Sequence, residues 1–152
     1  MQRWTSQPIP VPTVPDAPWE RADLEFESLT HDGPSYAVLV FLNNPDVAED
    51  AAPDTTPGYA GRFTVFAHGR CWGDAGHCDL PTQPVHPFDR RQPHPLTPID
   101  VTVEITDALR ALGPVEEVTV TALAFSTDPA EREDVLRFAR LTLITYDPPA
   151  TV

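Results

Sequence analysis

Alternation of apolar and polar side chains is the feature that most limits how this chain can fold. Between residues 99 and 105, Val101 and Val103 alternate with polar residues, which is the period-two pattern of a strand with one buried face. Tyr36–Leu42 is apolar on both faces, as expected of a central strand that is covered on both sides. Similar patterns predict further strands over residues 23–27, 62–68, 118–125 and 135–146.

These six segments predict an all-β fold, an antiparallel, jelly-roll-like β-sandwich of about six to eight strands. One short helix is expected after residue 105, where the Thr106 hydroxyl is a candidate N-cap and Gly113 a stop signal. We expect the core of the sandwich to include Val38, Val40, Phe63, Val65, Val101, Val103, Val120 and Phe138.

The chain is rich in proline, with 19 prolines among 152 residues. Because each proline fixes its own backbone angle and pushes the preceding residue to extended geometry, residues 1–22 are predicted to form a proline-rich extended N-terminal arm. Residues 23–152 are predicted to form a single β-sandwich domain, since that length buries one core. Within the domain, the acidic stretch 46–57 predicts a long exposed loop.

The chain is strongly acidic, with a formal net charge of −13, and every basic residue is arginine. Such a surface repels phosphate backbones and anionic lipid headgroups, so neither nucleic acid nor a membrane is expected as a partner. The longest apolar run is far shorter than the roughly 20 residues that span a bilayer, and no signal segment opens the chain. We therefore expect a cytoplasmic protein.

Residues 68–78 hold the most unusual chemistry of the chain. His68, Cys71, His77 and Cys78 fall within this stretch, and thiolate together with imidazole suits Cu(I) or Zn(II). These four residues are the candidate metal ligands, and copper, bound transiently, is the candidate cofactor. The spacing of the cysteines differs from that of established zinc fingers, so structural thiols or a local disulfide remain open alternatives.

Catalytic motifs are missing from the sequence. It contains no Gly-x-Ser-x-Gly nucleophile elbow, no His-x-His pair and no glycine-rich phosphate loop, which removes the usual signs of hydrolase, iron-oxygenase and nucleotide chemistry. We therefore expect a protein without catalytic residues of its own. A small metal-dependent enzyme remains an alternative because of the candidate ligands.

Five short segments occur in a characteristic order, namely residues 36–43, 59–63, 105–109, 117–121 and 136–146. In this order they resemble the C-terminal β-domain of polyphenol oxidases, the KFDV-type domain that follows the type-3 copper domain. Residues 36–43 resemble that family's first core strand, which ends in Asn. Residues 59–63, with His68 downstream, resemble its Ala-Gly-Ser-Phe segment and the histidine after it. The remaining similar segments are 105–109, 117–121 and 136–146.

The resemblance implies a non-catalytic, caddie-like accessory domain that packs on a separately encoded type-3 copper oxidase, shields its copper site or helps to load it. An aromatic residue facing that partner would plug the copper pocket, and Trp72 and then Tyr59 are the candidates. The resemblance does not extend to residues 70–98, which are not part of the plant pattern. A general protein-interaction module with structural cysteines is the alternative.

Overall fold

A computed structural model describes residues 1–12, 19–53, 55–67, 76–80, 88, 95–128 and 134–147. The described residues form nine strands and one short helix. In chain order these are β1 (Gln2–Thr5), β2 (Ile9–Pro10), β3 (Arg21–Leu29), β4 (Tyr36–Leu42), β5 (Tyr59–Val65), β6 (Ile99–Glu104), α1 (Thr106–Ala111), β7 (Glu117–Val118), β8 (Val120–Ser126) and β9 (Arg140–Tyr146).

The strands form a four-stranded sheet in the order β1-β8-β4-β5, a three-stranded sheet in the order β6-β3-β9, and a two-stranded ribbon of β2 and β7. Every pairing is antiparallel. The two larger sheets pack face to face around one core, so the all-β sandwich predicted from the alternation is confirmed. No helix in these described ranges is long and apolar enough to cross a membrane.

Strand β4 is covered on both faces over most of its length, as its uniformly apolar sequence predicts, although Ala37 is exposed. On the inner face, Val38 and Val40 belong to the main core and have no exposed surface. On the outer face, Phe41 packs with Leu123 and with Val47 in a second cluster. Val47 is only 2% exposed, so the acidic stretch predicted to be exposed also covers the outside of the four-stranded sheet.

The main core contains the eight residues that the alternation selects, although to different depths. Val38, Val40, Val65, Val103 and Val120 are buried, whereas Phe63, Val101 and Phe138 are partly buried and pack against them. The phenyl ring of Phe26, which is fully buried, lies 5.1 Å from that of Phe63 and 5.2 Å from that of Phe138, measured between ring centroids. Such aromatic contacts contribute about 0.5–1.5 kcal/mol beyond the burial of area.

Two stretches within the predicted N-terminal arm are strands of the sandwich. Gln2–Thr5 pairs with β8 in the register that joins Gln2 to Ala124, and Ile9–Pro10 pairs with β7. The short polar-apolar segment at Gln2 gives little period-two signal, because its strand is only four residues long. Its pairing depends on β8, which lies more than 100 positions away in the sequence.

The start of α1 differs from the sequence prediction, because Thr106 is not its N-cap. Ile105 occupies that position and makes no side-chain cap hydrogen bond. The Thr106 hydroxyl oxygen instead accepts a hydrogen bond from the backbone N–H of Ala22 at 3.1 Å. Since β6 ends at Glu104, this hydroxyl takes the place of a backbone carbonyl and continues the ladder along β3.

Gly58 is expected to be indispensable at the turn that leads from the 43–58 loop into β5. Its φ is +78°, and a Cβ built on it would lie 2.2 Å from the backbone oxygen of Leu42. Gly58→Ala should therefore destabilise the fold by about 1–3 kcal/mol or more, through left-handed strain and the clash. Chemical denaturation measures this difference, with Gly33→Ala, which meets nothing within 4 Å, as the matched control. Equal stability of the two variants would contradict the packing described here.

Candidate functional site

One end of the sandwich carries the segment that holds the candidate metal ligands. Val65, the last residue of β5, pairs with Tyr36, the first residue of β4, and Leu29 of β3 pairs with Ile99, where β6 begins. A connection of only six residues joins β3 to β4, so these strand ends lie together. We call this the insertion end and define it by the described residues 30–35, 66–67, 76–80 and 95–99.

Hydrogen bonds tie the described parts of the insertion end to one another. The Nε2 atom of His31 lies 2.8 Å from the backbone oxygen of Thr97, and the backbone N–H of Ala67 donates to the hydroxyl of Ser35 at 3.0 Å. The N–H of Leu96 donates to the carbonyl of Cys78 at 3.2 Å. The residues around Cys78 are therefore held against the segment that enters β6.

Two of the four candidate metal ligands lie in the described part of the chain. His77 and Cys78 are adjacent and both half-buried, and the sulfur of Cys78 is engaged in a disulfide. His68 and Cys71 lie outside the described residues. A disulfide sulfur is not a thiolate, so copper binding through Cys78 requires its reduction first. Within the described ranges, no group of three or more His, Cys, Asp and Glu side chains is arranged to hold a metal.

Of the two candidate plug residues, the structure describes only Tyr59. Trp72 lies outside the described residues. Tyr59, at the start of β5, is half-buried, and its ring packs edge-on against Phe41 with 5.7 Å between centroids. Since Tyr59 begins β5 and the insertion end lies beyond Val65, Tyr59 is at the opposite end of that strand. Its contacts are those of a packing residue, and its role as a plug stays a prediction.

Large apolar side chains are exposed at and near the insertion end. Phe66 is 87% exposed, and Leu80 and Ile99 also present much of their surface to solvent. Exposed apolar side chains are typical of a docking site where they form one contiguous patch. The sequence holds a sign of it, because in the alternation of β5 Phe66 falls on the same face as Arg62 and Thr64. An apolar residue at a polar position of a strand is the signal to look for.

A polar groove at the helix end of the sandwich was missed by the sequence analysis. It is a cleft of about 770 Å³, and Asp23, only 2% exposed, lies at its base. Arg21 Nε donates to both carboxylate oxygens of Asp23, at 2.8 and 3.0 Å, and this hydrogen bonding raises the pKa of Arg21. Arg110 is likewise engaged, donating to the backbone oxygen of Glu20 at 2.8 Å. Because both guanidinium groups are occupied within the groove, its charges stabilise the junction of β3 and α1.

The comparison of this chain with known proteins finds a similarity in fold. No protein-family model matches this chain, and no curated protein matches it. Among solved structures, the chain is similar to one described as a latent aurone synthase (polyphenol oxidase) from natural source, with a TM-score of 0.59 and 15% sequence identity. The similarity covers 97% of this chain and 25% of that chain. At this identity the likeness is one of fold, and the chain spans about a quarter of the enzyme's length.

Tyr36 gives the insertion end an alkaline limit to its stability. It is 2% exposed, and burial raises the pKa of its hydroxyl from 10.0 to about 12. Ionisation is thus harder in the folded than in the unfolded chain, so its contribution is complete below pH 10 and is lost as pH rises toward 12. Ultraviolet titration of tyrosinate, with thermal melts at each pH, should show this loss in the native chain and a smaller one in Tyr36→Phe. An identical alkaline loss in both proteins would contradict the assignment.

Proposed function

We propose that this chain is a non-catalytic accessory domain that packs on a separately encoded type-3 copper oxidase and shields its copper site or helps to load it. The observation that carries the proposal is the extent of the fold likeness. Nearly the whole chain corresponds to one quarter of a polyphenol oxidase, as expected of a chain that matches one domain of a larger enzyme.

Shielding needs a surface that excludes water from a copper pocket, and the insertion end supplies suitable side chains. Phe66 projects from the end of β5 with almost its whole side chain exposed, and the backbone beneath it is anchored by the Ala67–Ser35 hydrogen bond. Burial of an exposed Phe side chain against a partner contributes about 1.5–3 kcal/mol before the costs of association. The rigid sandwich below it would present this apolar end without much loss of entropy.

Copper loading is the second part of the proposal and depends on the redox state of the cysteines. A Cu(I) ion that is to be passed on needs soft and exchangeable ligands, which reduced Cys71 and Cys78 with His68 or His77 would provide. While Cys78 is disulfide-bonded, its sulfur does not serve as a Cu(I) ligand. The expected cytoplasmic location bears on this point, because a reducing compartment would hold the sulfur as a thiol.

A protein-interaction module with structural cysteines is the second candidate, and the disulfide at Cys78 favours it. If Cys71 and Cys78 are joined, the closed loop is short, and the chain-entropy treatment gives a stabilisation of about 2–3 kcal/mol. Such a disulfide would stiffen the insertion end without any metal. The exposed apolar side chains would then dock a partner of a different kind.

The shielding proposal predicts association with a copper oxidase. When mixed with a purified type-3 copper oxidase catalytic domain that lacks its own C-terminal region, the chain should co-elute with it in equal amounts. Because the docked domain closes the copper pocket, diphenol oxidation should fall by about tenfold or more. Size-exclusion chromatography and oxidation assays measure these two effects.

The variant Phe66→Asp should restore most of the oxidase activity, since a charge at this position must be desolvated on docking. Ala48→Asp is the matched control, because it adds the same charge to an exposed position of the 43–58 loop. Absence of co-elution together with an unchanged oxidation rate would refute the shielding proposal.

The loading proposal predicts that the reduced chain binds about one equivalent of Cu(I) and that the oxidised chain binds none. Cys71→Ser or Cys78→Ser should abolish binding, because a serine hydroxyl is a poor ligand for a soft ion. Titration against a chromophoric Cu(I) competitor measures the stoichiometry, with His31→Ala as a control histidine outside the candidate set. Unchanged binding in both cysteine variants would rule out this copper site, and a thermal shift on reduction alone would identify a structural disulfide.

A further inference from the structure

The two outward faces of the sandwich differ in charge. In the three-stranded sheet, β3 carries three carboxylates and β6 carries two, and the register places Asp23 beside Glu104 on the side away from the core. The strands of the four-stranded sheet contain no carboxylate at all. In a chain with a net charge of −13, the outward face of this second sheet is therefore the one that would not repel an acidic molecule.

Part of the outward face of the four-stranded sheet forms a continuous apolar patch. Ala37 of β4 lies between Phe125 of β8 and Thr64 of β5, and Leu39 lies beside Arg62. Ala37, Arg62 and Thr64 are exposed, whereas Leu39 and Phe125 are half-buried. Side chains opposite each other on neighbouring strands have Cβ atoms about 4.5–5.5 Å apart, so these residues adjoin. We call these five residues the open outer face.

The 43–58 loop covers the other half of the same outward face. Val47 and Ala51 of the loop pack with Phe41, while Ala37, at the other end of β4, stays exposed. In the direction away from the loop, the alternation of β5 continues to Phe66, which is 87% exposed. The open outer face is therefore continuous with the apolar side chain that marks the insertion end.

Arg62 is the charged member of the open outer face. In the described part of the chain, its guanidinium has no hydrogen-bond or ion-pair partner. The other described arginines each have one, namely Arg3 with the Val47 oxygen, Arg21 with Asp23, Arg110 with the Glu20 oxygen, Arg137 with Asp32 and Arg140 with Glu27. Arginine is enriched at protein interfaces, where its planar group binds carboxylates through paired hydrogen bonds. Arg62 is thus available to a carboxylate of another molecule.

We infer that the open outer face docks a partner protein whose surface is apolar and carries a carboxylate opposite Arg62. The inference rests on the proposed function, in which the partner is a type-3 copper oxidase, and it deepens that function by assigning the surface that holds the oxidase. Arg62 and Phe66 are four residues apart on one side of an extended segment, which corresponds to about 13 Å. The partner should present its carboxylate at that distance from the point at which Phe66 docks.

A second copy of this chain does not fit the open outer face. Two such faces in contact would bring Arg62 of each copy toward the other, and neither four-stranded sheet has a carboxylate to compensate. Contact with the three-stranded sheet of a second copy would bury carboxylates such as Glu25 against apolar side chains, which is costly. It would also leave one face free on each copy and continue into a filament. A different protein is therefore the occupant.

Calorimetric titration of the full chain into a purified type-3 copper oxidase catalytic domain that lacks its own C-terminal region tests this surface. Thr64→Glu should weaken binding by about tenfold or more, because the added carboxylate is desolvated next to an acidic partner. Thr102→Glu is the matched control, since Thr102 is also an exposed threonine on an edge strand but lies on the acidic face. Its Kd should equal that of the native chain, and thermal melts verify that both variants fold.

The charge of Arg62 has a readout of its own. Binding of the native chain should weaken as salt rises, whereas Arg62→Gln should bind more weakly at low salt and lose most of the salt dependence. If the oxidase domain binds Thr64→Glu and Thr102→Glu equally, or if Arg62→Gln keeps the full salt dependence, the inference is overturned while the proposed function stands, with docking at the insertion end alone. If the native chain does not bind the oxidase domain, the proposed function and this inference both fail.

Discussion

The fold depends on the burial of β4 on both of its faces. A strand that is apolar on each side must be covered twice, and two different parts of the chain do this. The three-stranded sheet covers Val38 and Val40 on the inside, while the 43–58 loop places Val47 over Phe41 on the outside. The loop is therefore part of the packing, and its acidic residues lie around one apolar anchor.

The candidate functional features lie at the strand ends, because the middle of the sandwich is occupied by this packing. At the insertion end, hydrogen bonds such as that between Ala67 and Ser35 hold the backbone while Phe66 faces solvent. At the helix end, Arg21 and Asp23 satisfy each other in a polar groove. The first end therefore leaves apolar side chains in contact with solvent, whereas the second satisfies its charges internally.

Alternation in the sequence predicted the class of fold and five buried core positions, because period two reports directly which side chains face inward. It did not predict β1, whose four residues are ordered by a partner strand that is distant in the sequence. Nor did it predict the role of Thr106, because its hydroxyl accepts a hydrogen bond from the backbone N–H of Ala22, which lies on another strand. The candidate ligands were visible as residue types, but the disulfide state of Cys78 depends on geometry and redox conditions that composition does not carry.

The pairing of Gln2 with Ala124 has a consequence for how the protein is made. The four-stranded sheet joins β1 to a strand that leaves the ribosome more than 100 residues later. Until β8 emerges, β1 has no partner strand and β4 lacks one of its two neighbours. The strongly apolar strand β4 therefore stays incompletely covered during translation. Pairings over such sequence distances fold slowly because loop closure precedes any stabilising contact. Residues 36–42 are therefore the segment of the nascent chain most exposed to aggregation until β8 emerges.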